Sequence, residues 1–130
     1  MKNPIVHFEI PADNVERATK FYTETFGWDI TKFALPDGDY WIARTVDVDK
    51  NMMPTKPGAI NGGIMKRKDP KQPFMNYISV ESIERKSAVI KANGGTMIMP
   101  KTEIGKGMGW IAAFKDTEGN IIGLHQEEKK

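Results

Sequence analysis

From Ile5 to Ile10, apolar and polar residues alternate, the period of a strand with one face buried. The period then lengthens. Val15, Ala18, Phe21, Tyr22 and Phe26 recur at three- and four-residue spacing, the stripe of an amphipathic helix. Asp13 precedes that stripe with Glu16 three residues on, which predicts a capping box, and Gly27 suits a left-handed stop. Three strands are predicted next, over Trp28–Phe33, Tyr40–Thr45 and Ala59–Lys66. Between them lie the turn signal Pro36-Asp37-Gly38 and a polar loop, Val46–Gly58, carrying two prolines.

Residues 67–73 show no periodicity and read as a linker; after them the order of elements repeats. Phe74–Val80 predicts a strand, and Ile83–Ala92 a helix stopped by Gly94-Gly95. Thr96–Lys101, Met108–Phe114 and Asn120–Gln126 predict three further strands, with a turn at Asp116–Gly119 and a charged tail at 127–130. The residues themselves repeat. Asp13–Trp28 lies over Glu81–Thr96 without a gap at an offset of 68, and Trp41-Ile42-Ala43 returns as Trp110-Ile111-Ala112 at an offset of 69. Such a copy is a supersecondary unit that cannot close a core alone.

The expectation is therefore one domain over residues 1–130, built from modules at 1–66 and 74–126. Each module reads β-α-β-β-β. The fold class is α+β, with two βαβββ modules forming a cup-shaped eight-stranded mixed sheet and helices outside. A cup of this kind either fills with core or holds a ligand, and concave apolar pockets between modules favour the ligand.

Composition narrows the function classes. Hydrophobic residues at 39% and charged residues at 28% are ordinary for a globular domain, and a formal net charge of +2 gives no case for nucleic acid or an anionic membrane. Absence of cysteine excludes disulfides, thiolate metal sites and a cysteine nucleophile. No apolar run approaches the roughly 18 residues of a membrane span, and no signal-peptide core precedes the first strand, so the expectation is a cytoplasmic protein. Phosphate-cradling glycine motifs are missing, and none of the three serines, Ser79, Ser82 and Ser87, sits at a glycine-flanked elbow.

Several segments carry a family likeness: Phe8-Glu-Ile-Pro-Ala-Asp-Asn14, Phe26-Gly-Trp28, Tyr40-Trp41, Ile60-Asn-Gly-Gly63 and Lys115-Asp-Thr-Glu-Gly-Asn-Ile-Ile-Gly-Leu124. With these the chain resembles the vicinal oxygen chelate superfamily of glyoxalase I, bleomycin-resistance proteins and extradiol dioxygenases. Within it, the chain looks most like the branch of predicted enzymes related to lactoylglutathione lyase. The resemblance implies four ligands to a divalent metal, one on the first and one on the last strand of each module. Carried over singly, they fall on His7, Gly63, Met75 and Gly123. Only His7 retains a good donor. A catalytic metal needs about three protein ligands, and glycine and a thioether do not supply them. No cofactor is expected, and a divalent metal is disfavoured.

Strand alternation puts His7 with Glu9 on one face, and Gly123 with His125 on one face. The candidate catalytic residues are Glu9 and His7, as general bases. The candidate ligand pocket is formed by His7, Glu9, Trp41, Met65, Met75, Trp110 and His125. The two tryptophans occupy equivalent repeat positions and are either aromatic walls or helix-facing core; alternation within their strands does not choose. The expected function is a glyoxalase-like small-molecule-binding protein or metal-independent enzyme, working as a homodimer. The alternatives are a bleomycin-resistance-like sequestering protein without catalysis, and a metal-dependent lyase or dioxygenase with a rebuilt site.

Overall fold

The computed structural model describes residues 2–36 and 38–128. Ten elements run in the predicted order: β1 (Ile5–Ala12), α1 (Val15–Phe26), β2 (Asp29–Leu35), β3 (Gly38–Arg44), β4 (Gly62–Lys66), β5 (Met75–Ser79), α2 (Ile83–Ala92), β6 (Thr96–Glu103), β7 (Trp110–Lys115) and β8 (Ile121–Gln126). The eight strands form one mixed sheet in the order β2-β3-β4-β1-β5-β8-β7-β6. Only β1–β4 and β5–β8 are parallel among the registered pairs, because each first strand must pass through a helix before its partner is made. The α+β class and the two β-α-β-β-β runs are thus as expected.

The chain divides into two compact units, one over His7–Phe74 and the other combining the segment up to Val6 with the chain from Met75 onward. The first strand is therefore shared: its opening residues belong with the second unit, where Ser79 donates its backbone N–H to the Pro4 carbonyl at 2.9 Å.

In the unit of His7–Phe74, the core joins Phe8, Ala12, Val15, Ala43 and Ile64, with Tyr22, Trp28 and Trp41 packed against it. These residues lie on the sheet face that α1 covers. Tyr22 stacks on Trp28 with centroids 4.9 Å apart, carrying the aromatic layer to the end of the helix. Gly62 serves this packing directly: a side chain there would run into the Phe8 ring. The other unit repeats the plan with Val80, Ile83, Ala112 and Leu124, against which Trp110 and Phe114 pack.

Several boundaries move, each for a local reason. The N-cap of α1 is Asn14, whose Oδ1 accepts from the Arg17 N–H at 3.0 Å. Asp13 does not cap the helix; its carboxylate instead takes the Arg67 guanidinium at 2.9 Å. Ser82 caps α2 in the same way, one repeat after Asn14. Residues 59–61 do not extend β4, because Asn61 turns its amide to the end of β3, accepting from the backbone of Thr45 and Val46. Trp28 precedes β2, which runs on to Leu35. The expected turn at 36–38 includes Asp37, and the end of the charged tail includes residues 129–130; both lie outside the described residues.

The segment 104–109 is a closed hairpin loop, with Ile104 donating to the Gly109 carbonyl and Met108 to that of Gly105. Gly109 (φ +85°) delays β7 until Trp110. The last turn is held by Asp116, which accepts from the backbone N–H of Asn120 and Glu118. Those bonds, that of Asn120 foremost, hold its carboxyl below the usual 3.8.

Candidate functional site

Register decides which side chains share a face. In the first unit Glu9 pairs with Gly63 and Pro11 with Met65 along β1–β4, while Ile42 pairs with Gly63 along β3–β4. His7, Glu9, Tyr40, Gly63 and Met65 therefore leave the sheet on the side opposite α1. His7 and Glu9 are half-buried, as is Met65, whose sulfur accepts from the Gln72 amide at 3.3 Å.

His7 is not a solitary imidazole. Its Nε2 lies 2.8 Å from the Tyr40 hydroxyl, with the two rings inclined by 18°. The phenol can donate to a neutral Nε2 or accept from an Nε2–H, so the couple can hold a proton at either atom. Tyr40 also explains the glycine at the second carried-over ligand position. A Cβ built on Gly63 would fall less than 3.0 Å from the Tyr40 oxygen and from its Cζ, closer than real Cβ atoms come. The tyrosine hydroxyl occupies the space that a ligand side chain at 63 would need.

The second unit has a comparable closure from a different strand. Tyr77 on β5 pairs with Gly123 on β8, and a Cβ on Gly123 would overlap the Tyr77 ring. Tyr77 is buried, at 4% exposure, and it lies one repeat after Glu9 rather than after Tyr40. Met75 and His125 share this face with it, since Ser79 pairs with His125. His125 is tied down: its Nε2 lies 3.0 Å from the Met108 carbonyl, which only accepts, so Nε2 carries the proton.

The sequence-predicted residues thus separate into three groups. His7, Glu9 and Met65 share one sheet face in the first unit, and Met75 and His125 share one in the second. Trp41 and Trp110 take the helix-facing alternative. Each packs with its own unit's core, and each carries a lysine over its ring: Lys32 at 5.8 Å from the Trp41 centroid and Lys101 at 4.7 Å from that of Trp110. Trp41 borders a shallow depression of about 350 Å³ against α1, lined by Glu16, Thr19, Lys20, Thr23 and Glu24. Sequence reasoning missed Tyr40 and Tyr77 as site residues. The available signal was a glycine at each missing last-strand ligand position, which marks space filled by something else.

The residues present do not fit the metal that the fold family implies. In the first unit the position-63 cradle is filled by a phenol and His7 is engaged by it; in the second, Met75 and Gly123 give no hard donor. Among the described residues, no group of three His, Asp or Glu side chains converges to hold an ion.

The fold has many known counterparts. A hypothetical protein of Bacillus halodurans C-125 superimposes with a TM-score of 0.71 at 15% identity, over 100% of this chain and 98% of that one. A methylmalonyl-CoA epimerase of Streptomyces coelicolor, solved as a point variant in complex with 2-nitronate-propionyl-CoA, gives 0.69 at 13% identity over 96% and 97%. In sequence, a glyoxylase-like domain-containing protein of Didymella fabae is 34% identical over 116 residues, 86% of this chain and 84% of the relative. The profile of the Glyoxalase/Bleomycin resistance protein/Dioxygenase superfamily matches residues 4–124. The chain belongs to that superfamily.

Proposed function

We propose that this protein binds a small molecule on the sheet face opposite the helices and moves a proton on it without a metal. The observation that carries the reading is the 2.8 Å hydrogen bond between His7 and Tyr40, on the face that also bears Glu9. A metal site in this family would polarise a ligand oxygen. Here a phenol–imidazole couple offers that oxygen a hydrogen-bond donor, and Glu9 is a carboxylate placed to act as base. Met65, on the same face of the first unit, offers adaptable apolar surface. The epimerase neighbours support proton transfer as a chemistry this fold hosts, and their acyl-CoA ligand makes carbonyl compounds the first class to screen.

The same reading includes a homodimer and a cytoplasmic location. Phe21 and Phe26, 54% and 60% exposed on α1, give a second copy an apolar surface. No helix among the described residues is long and apolar enough to cross a membrane.

The test is a thermal-shift screen of small carbonyl compounds followed by proton–deuterium exchange of each hit in D₂O. Glu9→Gln should lower exchange at saturating ligand by about 10²–10⁴-fold while ligand still binds. Unchanged exchange in that variant removes Glu9 as base. Stoichiometric binding with no exchange or product assigns the protein instead to sequestration.

A further inference from the structure

We propose that Tyr40 keeps a divalent cation out of the first unit, by filling the space that a third donor at position 63 would need beside His7 and Glu9 and by engaging His7 itself. This concerns cation binding alone and stands apart from any turnover. Glu9 and Gly63 are register partners on neighbouring parallel strands, so a side chain at 63 would leave the same face as that of Glu9, about 5 Å away. His7 lies two residues before Glu9 and shares that face. A histidine at 63 would complete two imidazoles and one carboxylate, a donor set suited to Zn²⁺, Co²⁺ or Fe²⁺.

Tyr40 prevents this in two ways. Its Oη, Cζ and Cε2 all stand less than 3.0 Å from where a Cβ at 63 would be, so no ligand side chain can enter. Its hydroxyl also engages His7 Nε2, one of the two ring nitrogens that can take a cation. Tyr77 closes Gly123 in the second unit, but there Met75 stands one repeat after His7 and Tyr77 itself one repeat after Glu9, and His125 on that face is already bonded to the Met108 carbonyl. The two closures arise from non-equivalent strands, β3 and β5, so they are separate fillings of the same kind of gap rather than one inherited by duplication. Only the first can be reopened.

The experiment is Co²⁺ titration of the full-length wild type, Gly63→His, Tyr40→Ala and the double variant, followed by visible d–d absorption and by elemental analysis after desalting. The double variant should bind about one equivalent, at least about tenfold tighter than the other three, and lose it when His7→Ala is added. Equally tight binding by Gly63→His alone would overturn the role of Tyr40. A folded double variant that binds no better than wild type would overturn the proposal, since the space cleared of Tyr40 would then hold no cation. Circular dichroism and melting establish folding. Should the double variant not fold, Tyr40→Ser with Gly63→Asp places a shorter donor in the same space and is judged by the same two comparisons.

Discussion

Gly63 is the position where side-chain volume and chemistry meet most sharply. A single methyl there falls inside the Tyr40 phenol, and the phenol is anchored by His7, so it cannot simply swing away. Gly63→Ala should therefore destabilise the protein by about 1–3 kcal/mol, the usual range for overpacking. In a Tyr40→Ala background the same change should cost much less, because its obstacle is gone. Chemical denaturation of the four forms as a double-mutant cycle checks this, and an equal cost in both backgrounds would show that the glycine is needed for another reason. Gly62 has the mirrored task on the opposite face, making room for Phe8. The Asn-Gly-Gly run was visible in the sequence as a family motif; that its two glycines admit two aromatic rings, one on each side of the sheet, was not. A glycine reports missing volume, and only the folded neighbours say what fills it.

At the scale of elements, both helices were legible with nearly correct limits because their signals are local. The apolar stripe, the polar cap and the glycine stop all act within one or two turns of the residue concerned. Ile83–Ala92 is found as expected, and Gly27 takes φ +72° with its N–H on the Thr23 carbonyl. The cap of α1 shows the limit of that reasoning. Asp13 and Asn14 are both good cap residues, and the choice falls to Arg67, which lies 54 residues away and takes the Asp13 carboxylate. Asn14→Ala should cost about 1 kcal/mol, whereas Asp13→Ala removes only an exposed ion pair and should cost less than that. Equilibrium unfolding of the two variants decides the matter, and a larger loss for Asp13→Ala would restore it as the cap. Strand ends moved more than helix ends, since a strand stops where its partner stops. Asn61 leaves β4 to satisfy the backbone of Thr45 and Val46, a demand no local pattern announces.

For the molecule as a whole, each unit has its own buried centre: Ile64, fully buried in the first, and Ile83, 1% exposed in the second. Ile64→Ala and Ile83→Ala should each cost about 2–5 kcal/mol, read from denaturant midpoints at unchanged slope. A loss below about 1 kcal/mol at either position would mean that its cluster collapses around the void rather than depending on the side chain. The shared fold over nearly the whole chain at 13–15% identity has the same origin, because apolar periodicity and a few glycine-marked gaps can be met by many sequences.

The sequence by itself determined the duplication, the order of ten elements, the α+β class, the likeness to the superfamily and, at three of the four positions which that likeness implies for ligands, glycine or methionine. Those features are written in spacing and residue type, which the chain carries without folding. Tertiary structure decided what fills the space at the two glycines among those positions. The pairing of Tyr40 with His7 spans 33 residues and two strands, and the helix-facing placement of Trp41 and Trp110 depends on registers with β4 and β8. Strand register sets a side chain's face with a period of two, so a slip of one residue reverses it. Only the paired sheet fixes that choice, and with it the identity of the candidate site.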